Sequence, residues 1–222
     1  MKKPLTLATL AFAALVAAST ASASPIIRLS DGSATVEVRD NDVGDANAAA
    51  GVITFVGAVG SNWLSNMTTG VSGAPSDPRL ALTRLDASNV GNTGISLDVW
   101  LTDTSFTVGS LGSMLSVFGY IDGLTEGMVT WGLYADAGNA EFGLQQLVGS
   151  GTNDTSDFAS TLSGLAQVDG TFSMTLHVRV NHGNAERTSS FNFQGVAQLV
   201  PEPGTIVLLG AGLAVLGLRR RG

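Results

Sequence analysis

Every second residue from Phe172 through Met174, Leu176 and Val178 to Val180 is apolar, while Thr171, Ser173, Thr175, His177, Arg179 and Asn181 fill the alternate positions. Successive side chains of an extended chain point to opposite faces, so the pattern predicts a strand with one buried and one wet face. Residues 190–199 repeat the alternation after His182, Gly183 and Asn184, which predicts an antiparallel hairpin. Ile95, Leu97, Val99 and Leu101 alternate with Ser96, Asp98, Trp100 and Thr102; Ala34, Val36 and Val38 alternate with Thr35, Glu37 and Arg39. Residues 52–59, 80–85, 115–121 and 129–135 are further strand candidates, and the polar or small-residue stretches 40–50 and 149–157 read as loops. A helical period is absent outside the two ends. Eight or more short strands punctuated by glycine predict an all-β fold over residues 24–199, an antiparallel β-sandwich of jelly-roll-like type.

The two ends follow different rules. Lys2 and Lys3 precede an apolar run from residue 5 to 18, and Ala21 and Ala23 bracket Ser22 in the small-x-small pattern that a signal peptidase accommodates. Residues 1–23 therefore read as a signal peptide, forming a helix that is cut after Ala23 on a Sec-type route. Ser24-Pro25 stops the helix at once.

At the other end, Pro201, Glu202 and Pro203 are followed by an apolar run at 205–218 and then by Arg219, Arg220 and Arg221. Two prolines around a glutamate hold the backbone extended and remove two amide donors, giving a fixed peptide for a protease pocket. The apolar run would form a short transmembrane helix of roughly 22 Å against a hydrocarbon core near 30 Å, held by the inner membrane only transiently. Three arginines hold its end in the cytoplasm. This tripartite tail at 200–222 closely resembles the PEP-CTERM sorting signal of Gram-negative bacteria. The resemblance implies an exosortase as partner, cutting near residues 201–203 and releasing or re-attaching the protein at the cell envelope, its outer surface or beyond, typically in bacteria that make exopolysaccharide.

Charge sharpens the picture. Removing both ends leaves 17 carboxylates against 6 arginines in residues 24–200, a net charge near −11. Such a surface repels phosphate backbones, which argues against nucleic acid as a partner. The absence of cysteine excludes disulfides, thiolate metal sites and a cysteine nucleophile.

Candidate chemistry is sparse. Asp40, Asp42 and Asp45 share one loop with Asn41 and Gly44, offering oxygen ligands for Ca²⁺, although the EF-hand pattern is not met; a solvated acidic turn is the alternative. Asp154 and Asp157 form a weaker pair of the same kind. Trp100 falls on the polar face of its strand, where its ring could stack on a sugar or be covered by a loop or neighbouring strand. His177 and His182, five apart, point to opposite faces and make no zinc pair. No G-x-S-x-G elbow occurs, and nothing singles out a glycosidase carboxylate pair. The expected product is a non-catalytic exported protein associated with exopolysaccharide or extracellular matrix. A carbohydrate- or calcium-binding lectin-like module and, more remotely, a secreted hydrolase are the alternatives.

Overall fold

The structure, a computed structural model, describes residues 23–91, 94–107 and 113–200. Most of the predicted signal segment, with Ala21, and the whole tail with Pro201, Glu202, Pro203, the apolar run and Arg219 to Arg221 lie outside the described residues.

Among the described residues there are twelve strands: β1 Ile26–Ser30, β2 Thr35–Arg39, β3 Val52–Val59, β4 Trp63–Ser72, β5 Arg79–Asn89, β6 Leu97–Thr107, β7 Ser113–Thr125, β8 Met128–Asp136, β9 Gln146–Asn153, β10 Asp157–Val168, β11 Thr171–Asn181 and β12 Arg187–Leu199. They form two antiparallel six-stranded sheets. Sheet A runs β2-β1-β6-β11-β8-β9 and sheet B runs β10-β7-β12-β5-β4-β3. The expected pair of antiparallel sheets is present. From β5 onward the chain changes sheet at every connection except β8 to β9.

Period two explains the packing. Leu97, Val99 and Leu101 of β6 and Leu176, Val178 and Val180 of β11 are buried on the inner face of sheet A. Phe191 and Phe193 of β12 and Leu80, Leu82 and Leu85 of β5 do the same for sheet B, so the two faces share one core. Trp131 of β8 stacks on Phe158 of β10 at 5.9 Å, closing the core between the sheets. Truncating a fully buried leucine or phenylalanine to alanine at such positions costs about 2–5 kcal/mol.

Two sequence expectations are corrected. The strands predicted as a hairpin do not pair: β11 lies between β6 and β8 in sheet A, and β12 lies between β5 and β7 in sheet B. Both strands carry a largely apolar inner face, and residues 182–186 arch between the sheets so that the two faces meet across the core instead of lying side by side. His182, 2% exposed, turns inward at the start of the arch, and its Nε2 lies 2.8 Å from Ser189 Oγ on the inner side of β12.

The second correction concerns residues 149–157: only 154–156 form a turn, while 149–153 are the end of β9 and 157 begins β10, the edge strands of the two sheets. Their glycines belong to packing. A Cβ on Gly151 would stand 2.5 Å from Trp131 Cζ2, so the indole lies directly over the β9 backbone. The loop at 40–50, by contrast, is irregular as expected.

Candidate functional site

Strand register assembles a polar and aromatic row across the outer face of sheet A. Glu37, Arg28, Trp100, His177, Gly132 and Ser150 occupy successive cross-strand positions on β2, β1, β6, β11, β8 and β9. Trp100 stacks face to face on His177, with ring centroids 4.8 Å apart and planes 4° apart. Asp98, two residues along β6, accepts from Arg179 Nε at 2.9 Å and Nη2 at 2.8 Å, and its Oδ1 is 2.8 Å from His177 Nε2. Burial works to raise the Asp98 pKa, but the hydrogen bonds from His177 and Arg179 outweigh it and hold the carboxyl below its ordinary value. The imidazole is thereby fixed in the plane that the indole needs.

Beyond His177 the row opens into a cleft of about 310 Å³ lined by Thr130, Gly132, Tyr134, Ser150, Thr152 and His177. Gly132 makes the cleft possible, because a Cβ there would stand 2.8 Å from Tyr134 Cε2. The phenol ring therefore leans over the strand backbone.

The β8–β9 loop, residues 137–145, is fastened onto the same face. Arg39 makes two contacts of 2.9 Å with Glu141, Ser173 Oγ donates to Ala140 O at 2.6 Å, and Asn139 Oδ1 accepts from the Ser105 amide at 2.7 Å. The Arg28 guanidinium sits 3.6 Å from the centroid of the Phe142 ring while also pairing with Glu37 at 2.8 Å. This loop covers Thr102 and Thr175, both fully buried on what would otherwise be the wet side of the sheet, and walls one flank of the aromatic row.

The acidic loop is arranged differently. Asp42 Oδ1 accepts from Val43 N; Asp45 accepts from Asn41, Asn47 and Thr54 amides; Asp40 Oδ2 accepts from Gly51 N. The three carboxylates thus bind loop amides and do not converge. Among the described residues no group of three or more histidine or acidic side chains is placed to hold a metal ion. Asp154 and Asp157 are exposed in and after the β9–β10 turn.

His177 and His182 lie on opposite faces, His177 on the aromatic row and His182 in the core beside Trp63, with ring centroids 4.9 Å apart. Ser189 and His182 are hydrogen bonded, but at 1% and 2% exposure they meet no substrate. Trp100 was singled out by its position on a polar face. Tyr134, Gly132, Asp98 and Arg179 were not, because their adjacency to Trp100 depends on register between strands far apart in sequence. The one available signal was that His177, like Trp100, sits on the polar phase of its strand.

Residues 199–221 match the family model of the PEP-CTERM protein-sorting motif, overlapping the described chain at the end of β12. The chain carries a PEP-CTERM protein-sorting motif at its carboxyl end. It is thereby an exported protein marked for sorting at the cell envelope, with an exosortase as its processing partner. A search of curated proteins finds no match to the sequence. Among solved structures, it is similar to the K1 cleaved adhesin domain of Lys-gingipain from Porphyromonas gingivalis W83, at 11% identity and a TM-score of 0.36, over 70% of this chain and 95% of that one. It is also similar to the CBM22-1–GH10 modules of Clostridium thermocellum endo-1,4-β-D-xylanase 10B, crystallised with xylohexaose, at 14% identity and a TM-score of 0.30. That match covers 49% of this chain and only 22% of the xylanase chain. At these scores neither likeness transfers a function.

Proposed function

We propose that the exported domain is a non-catalytic, polysaccharide-binding module, cut after Ala23 by signal peptidase, processed near Pro201 to Pro203 by exosortase, and associated with exopolysaccharide at or beyond the cell surface. The observation that carries this reading is the cleft of about 310 Å³ on sheet A, flanked by Tyr134 and by His177 with Trp100 behind it. Its volume is at the low end of ordinary small-molecule sites. Sugar rings present apolar C–H faces that stack on aromatic side chains and hydroxyls that need donors and acceptors at the rim. Thr130, Ser150 and Thr152 supply that rim. A domain with a net charge near −11 repels anionic polymers, so the reading specifies a neutral polysaccharide.

A glycan array probed with the purified exported protein tests it. Binding to a neutral glycan, weakened about tenfold or more by Trp100→Ala and by Tyr134→Ala, about 1.4 kcal/mol or more, is the expected result. Absence of any bound glycan, or variants that bind as the parent does, would remove the basis for the reading.

A further inference from the structure

The backbone nitrogen of Ser24 donates to Asp103 Oδ2 at 3.1 Å. Asp103 lies on β6, 3% exposed, and its other oxygen accepts from the Thr104 amide at 2.7 Å. Asp40 stands beside it: the Asp40 amide donates to Pro25 O, and Asp40 Oδ1 is buried with no hydrogen-bond partner. Burial raises the Asp103 pKa, and the neighbouring Asp40 charge pushes it the same way. Asp40 is the titratable group facing Asp103 at this spot; Asp103 is bonded by the Ser24 and Thr104 amides and the Ser72 side chain, and Asp40 by the Gly51 amide, so among the described residues two carboxylates share a shielded corner with neutral donors and no cation.

We propose that cleavage after Ala23 supplies that cation: the new α-ammonium of Ser24 forms an ion pair with Asp103 and offers its further N–H bonds to Asp40. This rests on the reading of residues 1–23 as a signal peptide. In the cleavage, water adds across the Ala23–Ser24 bond, its hydroxyl going to the Ala23 carbonyl carbon and its proton to the Ser24 nitrogen, which takes a further proton from solvent near neutral pH. The precursor holds a neutral amide at the same place and leaves the carboxylate pair with neutral donors but no countercharge. The fold therefore reaches full stability only in the processed chain, because a buried charge without an opposite charge beside it is destabilising.

The pH sense follows. An amine whose folded pKa is raised above its unfolded value of roughly 7.7–8.0 contributes stability that is complete below that value and is lost as pH rises through the folded pKa.

Lys2 and Lys3 are the only lysines of the chain, so the processed protein has a single primary amine, at Ser24. Intact-mass analysis of protein purified from cells first fixes the amino terminus. The rate of acylation by an N-hydroxysuccinimide ester is then followed from pH 6 to 10 for folded protein, for the same protein unfolded in urea, and for Asp103→Asn. The folded wild-type amine is expected to titrate at least about one unit above the unfolded one, which makes it about tenfold less reactive at pH 7 once both are scaled to their high-pH plateaus. Asp103→Asn is expected to remove most of that difference, and acetylating the wild-type amine to abolish the loss of thermal stability between pH 8 and 10. If the amino terminus is Ser24 but folded and unfolded amines titrate alike, the ion pair does not exist. A mature chain beginning elsewhere overturns the cleavage site and the ion pair together, and the mass alone identifies that failure.

Discussion

Trp100, His177, Asp98 and Arg179 form one unit in which each side chain fixes the next. The indole lies on the imidazole, the imidazole is held by the carboxylate, and the carboxylate is clamped by two guanidinium donors. Because the Asp98 pKa is depressed, its contribution is complete above the unfolded carboxyl value of about 3.9 and is lost as pH falls through the lower folded value. Asp98→Asn is expected to cost about 1 kcal/mol at neutral pH, the half-exposed Arg179 keeping the figure small. It should also flatten the acid limb of the stability curve below pH 4. Urea denaturation from pH 2 to 7 on both proteins measures this, and parallel acid limbs would contradict it. The sequence identified Trp100 as an aromatic on a polar face, but Asp98 and Arg179 read as ordinary surface charges. Their roles arise from a β6–β11 register that joins residues 81 positions apart.

At the level of strands and connections, β11 and β12 show where pattern reading succeeds and where it stops. Alternation located both strands because each buries one face, and it assigned the correct residues to that face. It could not say whether the faces lie side by side or meet across a core, since both arrangements hide the same side chains. His182 marks the difference: it is buried at the arch, bonded to Ser189, which in turn bonds Thr125 at 2.7 Å. Edge strands failed for another reason. In β9 and β10, Gly151 and its polar neighbours answer to Trp131 and to solvent, so their composition imitates a loop.

The arch also has a pH signature. Burial lowers the His182 pKa, so below the unfolded value of about 6.5 the unfolded chain takes up a proton that the folded chain refuses. Stability is complete above that pH and declines beneath it. His182→Gln should lose that decline between pH 6.5 and 4.5, as read from thermal unfolding midpoints. An unchanged slope would mean that the imidazole is not shielded.

For the molecule as a whole, the sorting tail was legible because its three parts are contiguous and each has a composition of its own, whereas the cleft was not, being assembled from β8, β9 and β11. Replacing Pro201, Glu202 and Pro203 by alanine in cells that possess an exosortase should leave the protein in the membrane fraction with Arg219 to Arg221 still attached. Fractionation with intact-mass analysis reads this directly, and equal release of both proteins would deny the motif its role.

The placement of β12 has a mechanical consequence. The 13-residue strand that leads into the tail is bonded along both edges, to β5 and to β7, so a pull on the carboxyl end is met by two ladders at once and in shear, with no border strand to peel away. Ser24 and Val200 both leave from the pole where residues 73–79 turn, as the bonds Ala197 N to Pro78 O and Thr107 N to Pro75 O and the link from Ser24 to Asp103 at the end of β6 indicate. A domain tethered there would hang from a strand stitched on both sides, so that drag on the domain loads an interior seam and not a loose border.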